Sequence, residues 1–271
     1  MESRAPTAVG PAGHDRRCAD TARGGHLPDH VALFPTCLGD LVTPETVEHA
    51  QAALGACGLD VRAVRRGTCC GQPAFNAGFD DQARRVARVT LRALAQTTGA
   101  IVVPAGSCAA MMSRHWVELF AGDRDADLAR QVSARVVEFT AVLADHLEAL
   151  ERRGLRWAGT AGYHDSCHML RELRLSGEPR AILGCVRDLN LVALPSADRC
   201  CGFGGTFAVR YPEVSVAMAD SKLDDARASG VEVLISADPG CLMQLGGRAE
   251  RTGTGPRVIH IATLLYEAGL R

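Results

Sequence analysis

The feature that most constrains this chain is the tripeptide Cys-Cys-Gly, which occurs twice, at residues 69–71 and 200–202. In the first copy, single cysteines lie 32 residues before the pair and 38 residues after it; in the second copy the separations are 33 and 40. The eight residues are Cys37, Cys69, Cys70, Cys108, Cys167, Cys200, Cys201 and Cys241. Such a repeat indicates two tandem copies of one unit.

The repetition extends beyond the cysteines. Residues 80–103, an amphipathic stretch followed by Gly99 and an apolar run, are mirrored by residues 212–235. At 271 residues the chain is long enough for two halves of ordinary domain size. We therefore predict a first half at residues 29–153 and a second at 154–271, with the link between them at 153–160.

Residues 1–28 are predicted to be a disordered leader. This segment is rich in Gly, Pro, Ala, Arg and Asp and has no apolar periodicity. Cys18 lies within it and has no counterpart in the repeat, so it is excluded as a ligand.

Charge and hydropathy restrict where in the cell the protein is expected and which classes of partner it is expected to bind. The formal net charge is −1 and the basic residues are dispersed, which argues against binding to nucleic acid or to an anionic membrane. No apolar run approaches the ~20 residues that span a bilayer, and no apolar h-region follows the charged residues near the N-terminus. We therefore expect a cytoplasmic protein, in which clustered cysteines are metal ligands or redox groups rather than disulfides.

Short apolar runs alternate with amphipathic stretches, a pattern typical of an α/β fold with parallel sheets. Strands are predicted at 31–34, 61–64, 101–103 and 136–139, and at 161–164, 191–194, 231–235 and 258–261. Helices are predicted from Pro44 to about Gly58 and from Asp80 to Gly99. The second of these should bury a stripe of apolar side chains and leave a row of arginines in solvent; the stripe is Ala83, Val86, Ala87, Leu91 and Leu94, and the row is Arg84, Arg88 and Arg92.

Each repeated cysteine follows a predicted strand. Because loops at the carboxyl ends of parallel strands gather at one edge of a sheet, each half should bring its four thiols together there. Four thiolates suit a 4Fe-4S cluster or a tetrahedral zinc ion. Structural zinc sites usually draw on closely spaced Cys-x2-4-Cys pairs, and compact ferredoxin sites draw on a Cys-x2-Cys-x2-Cys run. This chain has neither, so the residues alone leave both alternatives open.

Several long motifs resemble the cysteine-rich CCG domain of heterodisulfide reductase B subunits, glycolate oxidase iron-sulfur subunits and lactate utilisation proteins. The resemblance covers residues 30–270 and is strongest to the lactate utilisation protein A family. It is carried by Phe34-Pro-Thr-Cys-Leu-Gly-Asp40, Gly67-Thr-Cys-Cys-Gly-Gln-Pro-Ala-Phe-Asn-Ala-Gly78, Gly106-Ser-Cys-Ala-Ala-Met111, Tyr163-His-Asp-Ser-Cys-His-Met169, Cys200-Cys-Gly-Phe-Gly-Gly-Thr-Phe207 and Asp238-Pro-Gly-Cys-Leu-Met243.

The resemblance implies an iron-sulfur electron-transfer subunit of a cytosolic complex that oxidises L-lactate to pyruvate. It also implies two partners, a ferredoxin-like iron-sulfur protein and a third small protein of the same system. The alternatives are a thiol or disulfide redox subunit like heterodisulfide reductase, and a zinc-stabilised binding module.

One departure from the family pattern bears on the cofactor. The broader CCG pattern ends in Cys-x-x-Cys, which gives five cysteines per set, but here Ala105 and Asp238 occupy the earlier position of each pair. We therefore expect an ordinary 4Fe-4S cubane in each half rather than the noncubane cluster that five thiolates hold.

Other residues near the sets are assigned lesser roles. His164 and His168 flank Cys167 and are expected to hydrogen-bond a cluster rather than ligate it, and Asp165 to orient an imidazole or to cap a helix. Four glycines are interpreted as positive-φ or close-approach positions, two cysteines as packing residues, and three arginines as surface residues in preference to carboxylate-binding ones; these are Gly71, Gly202, Gly204 and Gly205, Cys57 and Cys185, and Arg171, Arg174 and Arg210.

Overall fold

The computed structural model describes residues 30–271. The predicted leader, with Cys18, lies outside the described residues. The first half contains strands β1 His30–Leu33, β2 Asp60–Ala63, β3 Ala100–Val103 and β4 Val136–Glu138. The second contains β5 Arg156–Tyr163, β6 Arg187–Val192, β7 Val233–Ser236 and β8 Arg257–His260. Each of the eight predicted strands is present, within a few residues of its expected position.

Helices connect the strands throughout. In the first half they are α1 Cys37–Val42, α2 Pro44–Ala56, α3 Gln72–Asn76, α4 Asp80–Ala95, α5 Gly106–Ala110, α6 Trp116–Leu119, α7 Ala126–Ser133, α8 Phe139–Ala144 and α9 Leu147–Arg152. In the second they are α10 Gly177–Gly184, α11 Thr206–Arg210, α12 Pro212–Ala228, α13 Pro239–Thr252 and α14 Ile261–Glu267. Two π-helical turns, Met111–His115 and His168–Leu173, complete the list.

The strands form two four-stranded parallel sheets of identical topology. The order is β2-β1-β3-β4 in the first sheet and β6-β5-β7-β8 in the second. The predicted α/β class with two pseudo-symmetric halves is confirmed. The link between the halves is shorter than predicted, because β5 already begins at Arg156 and pairs with β6 from there.

The apolar stripe predicted for helix α4 is only partly confirmed. Ala83, Ala87 and Leu91 are buried as expected, but Val86 is 40% exposed. The buried face is completed by Thr90 instead, since it lies seven residues after Ala83 and closer to the centre of the stripe. The arginine row is only partly solvated: Arg88 forms salt bridges to Asp123 and Asp125 at 2.6 and 2.7 Å, and Arg84 donates to the carbonyl of Leu119 at 2.7 Å.

The two halves share their largest hydrophobic core. Helix α8, which leaves the first sheet, packs against α10 of the second half, and α14, which leaves the second sheet, packs against α2 of the first half. Leu54, Leu143, Ile182 and Leu264 from these four helices are fully buried or nearly so in one cluster. Since each half covers the other's apolar surface, the two sheets are held in a fixed relation.

Helices α8 and α14, which pack against the opposite half, each have a buried polar residue at the N-cap position. The Glu138 carboxylate caps α8 by accepting hydrogen bonds from the backbone N–H groups of Thr140 and Ala141 at 2.7 and 3.3 Å. His260 caps α14 through Nδ1, which accepts from the N–H of Ala262 at 3.1 Å. Burial raises the pKa of Glu138 to about 8 and lowers that of His260 to about 3, so both groups are neutral near pH 7.

The raised pKa of Glu138 makes stability depend on pH. An unfolded chain releases this proton near the ordinary pKa of 4.5, whereas the folded chain keeps it up to about pH 8. The parent should therefore lose stability relative to Glu138→Gln as pH rises from about 4.5 to 8, with a constant difference outside that window. Urea unfolding at a series of pH values measures this. Glu118→Gln, at an exposed position on α6, is the control; the same pH profile in both variants would contradict the assignment to Glu138.

Candidate metal centres

All eight repeated cysteines line a single cavity of about 540 Å³ between the two halves. Each lies in a loop or first helical turn that follows the carboxyl end of a strand. Cys37 and Cys108 belong to α1 and α5, and Cys241 to α13. The Cys-Cys-Gly segments follow β2 and β6. The shared core between the sheets turns both carboxyl edges toward the same space.

In the first half the four thiols form a continuous chain of contacts. The Sγ atoms of Cys70 and Cys108 are 3.3 Å apart. Cys69 is hydrogen-bonded to Cys37 and to Cys70, and its sulfur also accepts from the backbone N–H of Gly71 at 3.4 Å. The order of contact is therefore Cys37, Cys69, Cys70, Cys108.

The second half repeats this arrangement. Cys201 and Cys241 have their Sγ atoms 3.2 Å apart, and Cys200 is hydrogen-bonded to Cys167 and Cys201. The Cys200 sulfur accepts from the backbone N–H of Gly202 at 3.4 Å. The sequence repeat thus corresponds to a repeat of contacts between sulfur atoms.

In each quartet, hydrogen bonds between the cysteines favour one ionised cysteine beside neutral thiols. The hydrogen bond from Cys37 holds the pKa of Cys69 at about 3, and that from Cys167 holds the pKa of Cys200 at about 2. The same hydrogen bonds, together with burial, raise the pKa of Cys37 and Cys167 far above their usual range. Further ionisation would place like charges in contact in a partly buried site, so a full set of thiolates requires a bound cation.

The glycine after each pair is required by both conformation and space. Gly71 and Gly202 have φ of +90° and +87°, which L-residues rarely adopt. A Cβ atom on Gly71 would lie 2.7 Å from the carbonyl oxygen of Ala83, and one on Gly202 would lie 2.5 Å from that of Ser215. The predicted positive φ is confirmed here and at Gly204 and Gly205.

Polar contacts join the halves beside the cavity. One carboxylate oxygen of Asp238 caps α13 by accepting from the N–H groups of Gly240 and Cys241 at 3.0 and 3.4 Å. The other accepts from the N–H of Ser107, in the first half, at 2.7 Å. Asp238 thus has a structural role at the position where the broader pattern has a fifth cysteine, and Ala105 occupies the equivalent place in the first half.

The two histidines beside Cys167 differ in their surroundings. His168 lines the cavity, and its Nε2 lies 3.0 Å from the amide nitrogen of Gln72, which donates also to the carbonyl of Ser107 at 3.1 Å. His164 is fully buried, and neither of its ring nitrogens has a hydrogen-bond partner among residues 30–271. Burial lowers its pKa to about 3.

Asp165 orients neither imidazole. Its two carboxylate oxygens accept from the guanidinium of Arg180 at 2.8 and 2.7 Å, so the predicted role is replaced by an ion pair. This pair ties the start of the Cys167 loop to α10.

The remaining residues behave as packing or surface groups. Cys57 and Cys185 follow the ends of α2 and α10 and pack in or against the shared core, as predicted. The three arginines are exposed and are not among the residues that line the cavity; they are Arg171, Arg174 and Arg210. None of the ten cysteines in the described part of the chain forms a disulfide.

Comparisons with known proteins give the same two units. Residues 31–113 and 161–246 match the CCG cysteine-rich domain. Lactate utilization protein A of Exiguobacterium sp. is 40% identical over 88% of this chain and 97% of its own length. Lactate utilization protein A of Geobacillus kaustophilus is 40% identical over 87% of this chain and 98% of its own, and Lactate utilization protein A 2 of Bacillus cereus is 37% identical over 87% and 97%.

The chain belongs to the lactate utilisation protein A family. The resemblance inferred from the motifs is confirmed. Within residues 30–271, no helix has both the length and the apolar character needed to cross a bilayer.

Lys222 is the residue near the family's cysteine sets that sequence reasoning missed. Its side chain is fully buried on α12 and donates to the carbonyl of Ser196. The available signal was its position: a lysine stands among the buried residues of an amphipathic helix, in register with Thr90 of α4.

The glycine geometry gives a testable prediction. Gly71→Ala should lower the free energy of unfolding by about 1–3 kcal/mol more than Gly78→Ala, because its methyl group meets the backbone of α4. Gly78 has a similar φ of +79° but open space around it, so it controls for backbone strain. In the second half, Gly202→Ala and Gly230→Ala form the equivalent pair. Urea unfolding measures both differences, and equal costs within a pair would refute the role of close approach.

Proposed function

We propose that this chain binds one 4Fe-4S cluster in each half and acts as an electron-transfer subunit of a cytoplasmic complex that oxidises L-lactate to pyruvate. Its partners in this proposal are a ferredoxin-like iron-sulfur protein and a third small protein of the same lactate-utilisation system. The observation that carries the proposal is the convergence of all eight repeated cysteines on one cavity. The names of the relatives support the lactate pathway.

The residues present fit such a cofactor. Each half offers four thiols linked in a chain of contacts, one of them with a pKa well below its usual range. Cys37, Cys69, Cys70 and Cys108 would hold the first cluster, and Cys167, Cys200, Cys201 and Cys241 the second. A cluster ligated in this way accepts and releases single electrons.

The protein's own groups would tune and protect this chemistry. The N–H groups of Gly71 and Gly202 already donate to cysteine sulfurs, and hydrogen bonds to sulfur raise the reduction potential of an iron-sulfur centre. Cys70, Cys108, Cys201 and Cys241 are buried, which limits the access of water. Both quartets line the same cavity, so electrons would pass between the halves without crossing the protein interior.

Two other functions are less well supported. A thiol or disulfide reductase of the heterodisulfide type would use five cysteines in a set, and Asp238 and Ala105 occupy the additional positions. A zinc-stabilised binding module is favoured by one observation: nitrogen and sulfur atoms of His164, Cys201 and Cys241 all lie within 4.8 Å of one another, a spacing suited to a single ion. Metal analysis separates the zinc module from the two iron-sulfur functions.

The first test is the iron and acid-labile sulfide content of the full chain purified without oxygen. We expect about eight irons per chain from two four-iron clusters, broad visible absorbance that bleaches on reduction, and loss of about half of the iron in Cys70→Ser and in Cys201→Ser. Cys57→Ser, which removes a packing cysteine, should keep the full content. Parental iron in Cys70→Ser or Cys201→Ser would refute a site in that half, and a colourless zinc protein would refute the proposal.

The second test addresses the substrate. Deletion of the gene should abolish growth on L-lactate but not on pyruvate, because the proposed complex supplies one from the other. Complementation with the parent or with Cys57→Ser should restore growth, whereas Cys70→Ser and Cys201→Ser should fail. Normal growth of the deletion strain on lactate as the sole carbon source, with no second copy of the gene, would contradict the pathway assignment.

A further inference from the structure

The two quartets match closely, but one position beside them does not. The backbone N–H of Phe34 donates to the carbonyl of Val102 at 2.9 Å, and that of His164 donates to Ile235 at 2.8 Å. Both residues lie three positions before the first cysteine of their set. Phe34 and His164 are therefore structural equivalents, one apolar and one polar.

The side chains of Phe34 and His164 have different surroundings. The Phe34 ring is buried in the outer core of the first half, against Gly67, where an added Cβ would come within 2.5 Å of it. The His164 ring is equally buried, but both of its nitrogens lack a partner within the described chain. A buried polar group without a partner destabilises the folded chain. The nearby ligand atoms are the sulfurs of Cys201 and Cys241, within 4.8 Å.

A second difference lies on the helix behind each pair. The buried positions of α4 and α12 correspond one to one, so Thr90 is the equivalent of Lys222. Thr90 donates to the carbonyl of Cys69 at 2.9 Å and accepts from the N–H of Thr68 at 3.0 Å. Lys222 instead buries its amino group in the second half, where it donates to the carbonyl of Ser196. Its charge acts to lower the pKa of both His164 and Cys241, while burial lowers the pKa of Lys222 itself.

We propose that the two centres are unequal, and that His164 donates a ring N–H hydrogen bond to a sulfur of the second centre, which with the Lys222 ammonium makes that centre the more easily reduced. The inference rests on the proposed function. Hydrogen bonds to sulfur and nearby positive charge both stabilise the reduced, more negative state. With clusters bound in both halves, the first centre would be the donor and the second the acceptor of a single electron, and no proton would need to move.

The test is a potentiometric titration of the full chain, reconstituted without oxygen and followed by electron paramagnetic resonance. The parent should show two reduction waves, and the higher one should disappear in Cys201→Ser and persist in Cys70→Ser. In His164→Phe, which copies the first half, the higher wave should shift to more negative potential and narrow the gap, while the lower wave stays in place. Lys222→Thr should shift the same wave in the same direction.

Matched variants separate the hydrogen bond from a packing effect. His164→Gln retains an N–H donor and should shift the wave less than His164→Phe. His164→Leu, which has no donor, provides the measurement should His164→Phe fail to fold. Phe34→Leu, at the equivalent position, should move neither wave. Hyperfine spectroscopy in water against deuterium oxide should show exchangeable protons coupled to the reduced second centre. The one from His164 should be lost in His164→Phe, whereas the one from the N–H of Gly202 should remain.

The outcomes distinguish this inference from the function on which it rests. A chain that holds about eight irons but whose waves are unmoved in His164→Phe or His164→Leu overturns the inference and leaves the proposed function standing. So does a higher wave that belongs to the first half, or a strongly coupled nitrogen that shows direct ligation by His164. A chain without iron and sulfide overturns the proposed function first.

Discussion

The apolar core between the two sheets is the constraint on which the site depends. Helix α8 of the first half packs against α10 of the second half, and α14 of the second half packs against α2 of the first. Each half thus covers apolar surface that the other half cannot bury by itself. Burial of apolar surface is the main favourable contribution to folding. It also determines which edges meet, because once the sheets are packed in this way their carboxyl ends border a common cavity. Eight sulfur atoms from distant parts of the chain then become neighbours.

Much of this could be inferred from the sequence, for identifiable reasons. Strand positions follow from short apolar runs of β-branched residues, and cysteines placed just after strands must gather at the carboxyl edge of a parallel sheet. The start of β5 was missed because Arg156–Gly159 contains no apolar run; it becomes a strand by pairing with β6. Local pattern carries no information about that partner.

The polar contacts between the halves were less accessible. The bond from Ser107 to Asp238 joins residues 131 positions apart, and the ion pair of Asp165 with Arg180 depends on how α10 packs. An alignment of the two halves would have singled out Lys222 as the equivalent of Thr90. The sequence does not show, however, that the Lys222 side chain is buried. The family's cysteine pattern is therefore readable from one sequence, whereas the groups that surround the sulfurs need a three-dimensional model. The two halves share the quartets and differ in the groups around them.

Asp238 has a consequence for how the protein matures. One of its oxygens orders the first turn of the helix that carries Cys241, while the other is bound to a backbone group next to Cys108. This clasp forms only when residues far apart in synthesis are both available, so the pocket is incomplete on a nascent chain that lacks its C-terminal part. Any group that binds in the finished pocket therefore enters it only after the second half has been synthesised.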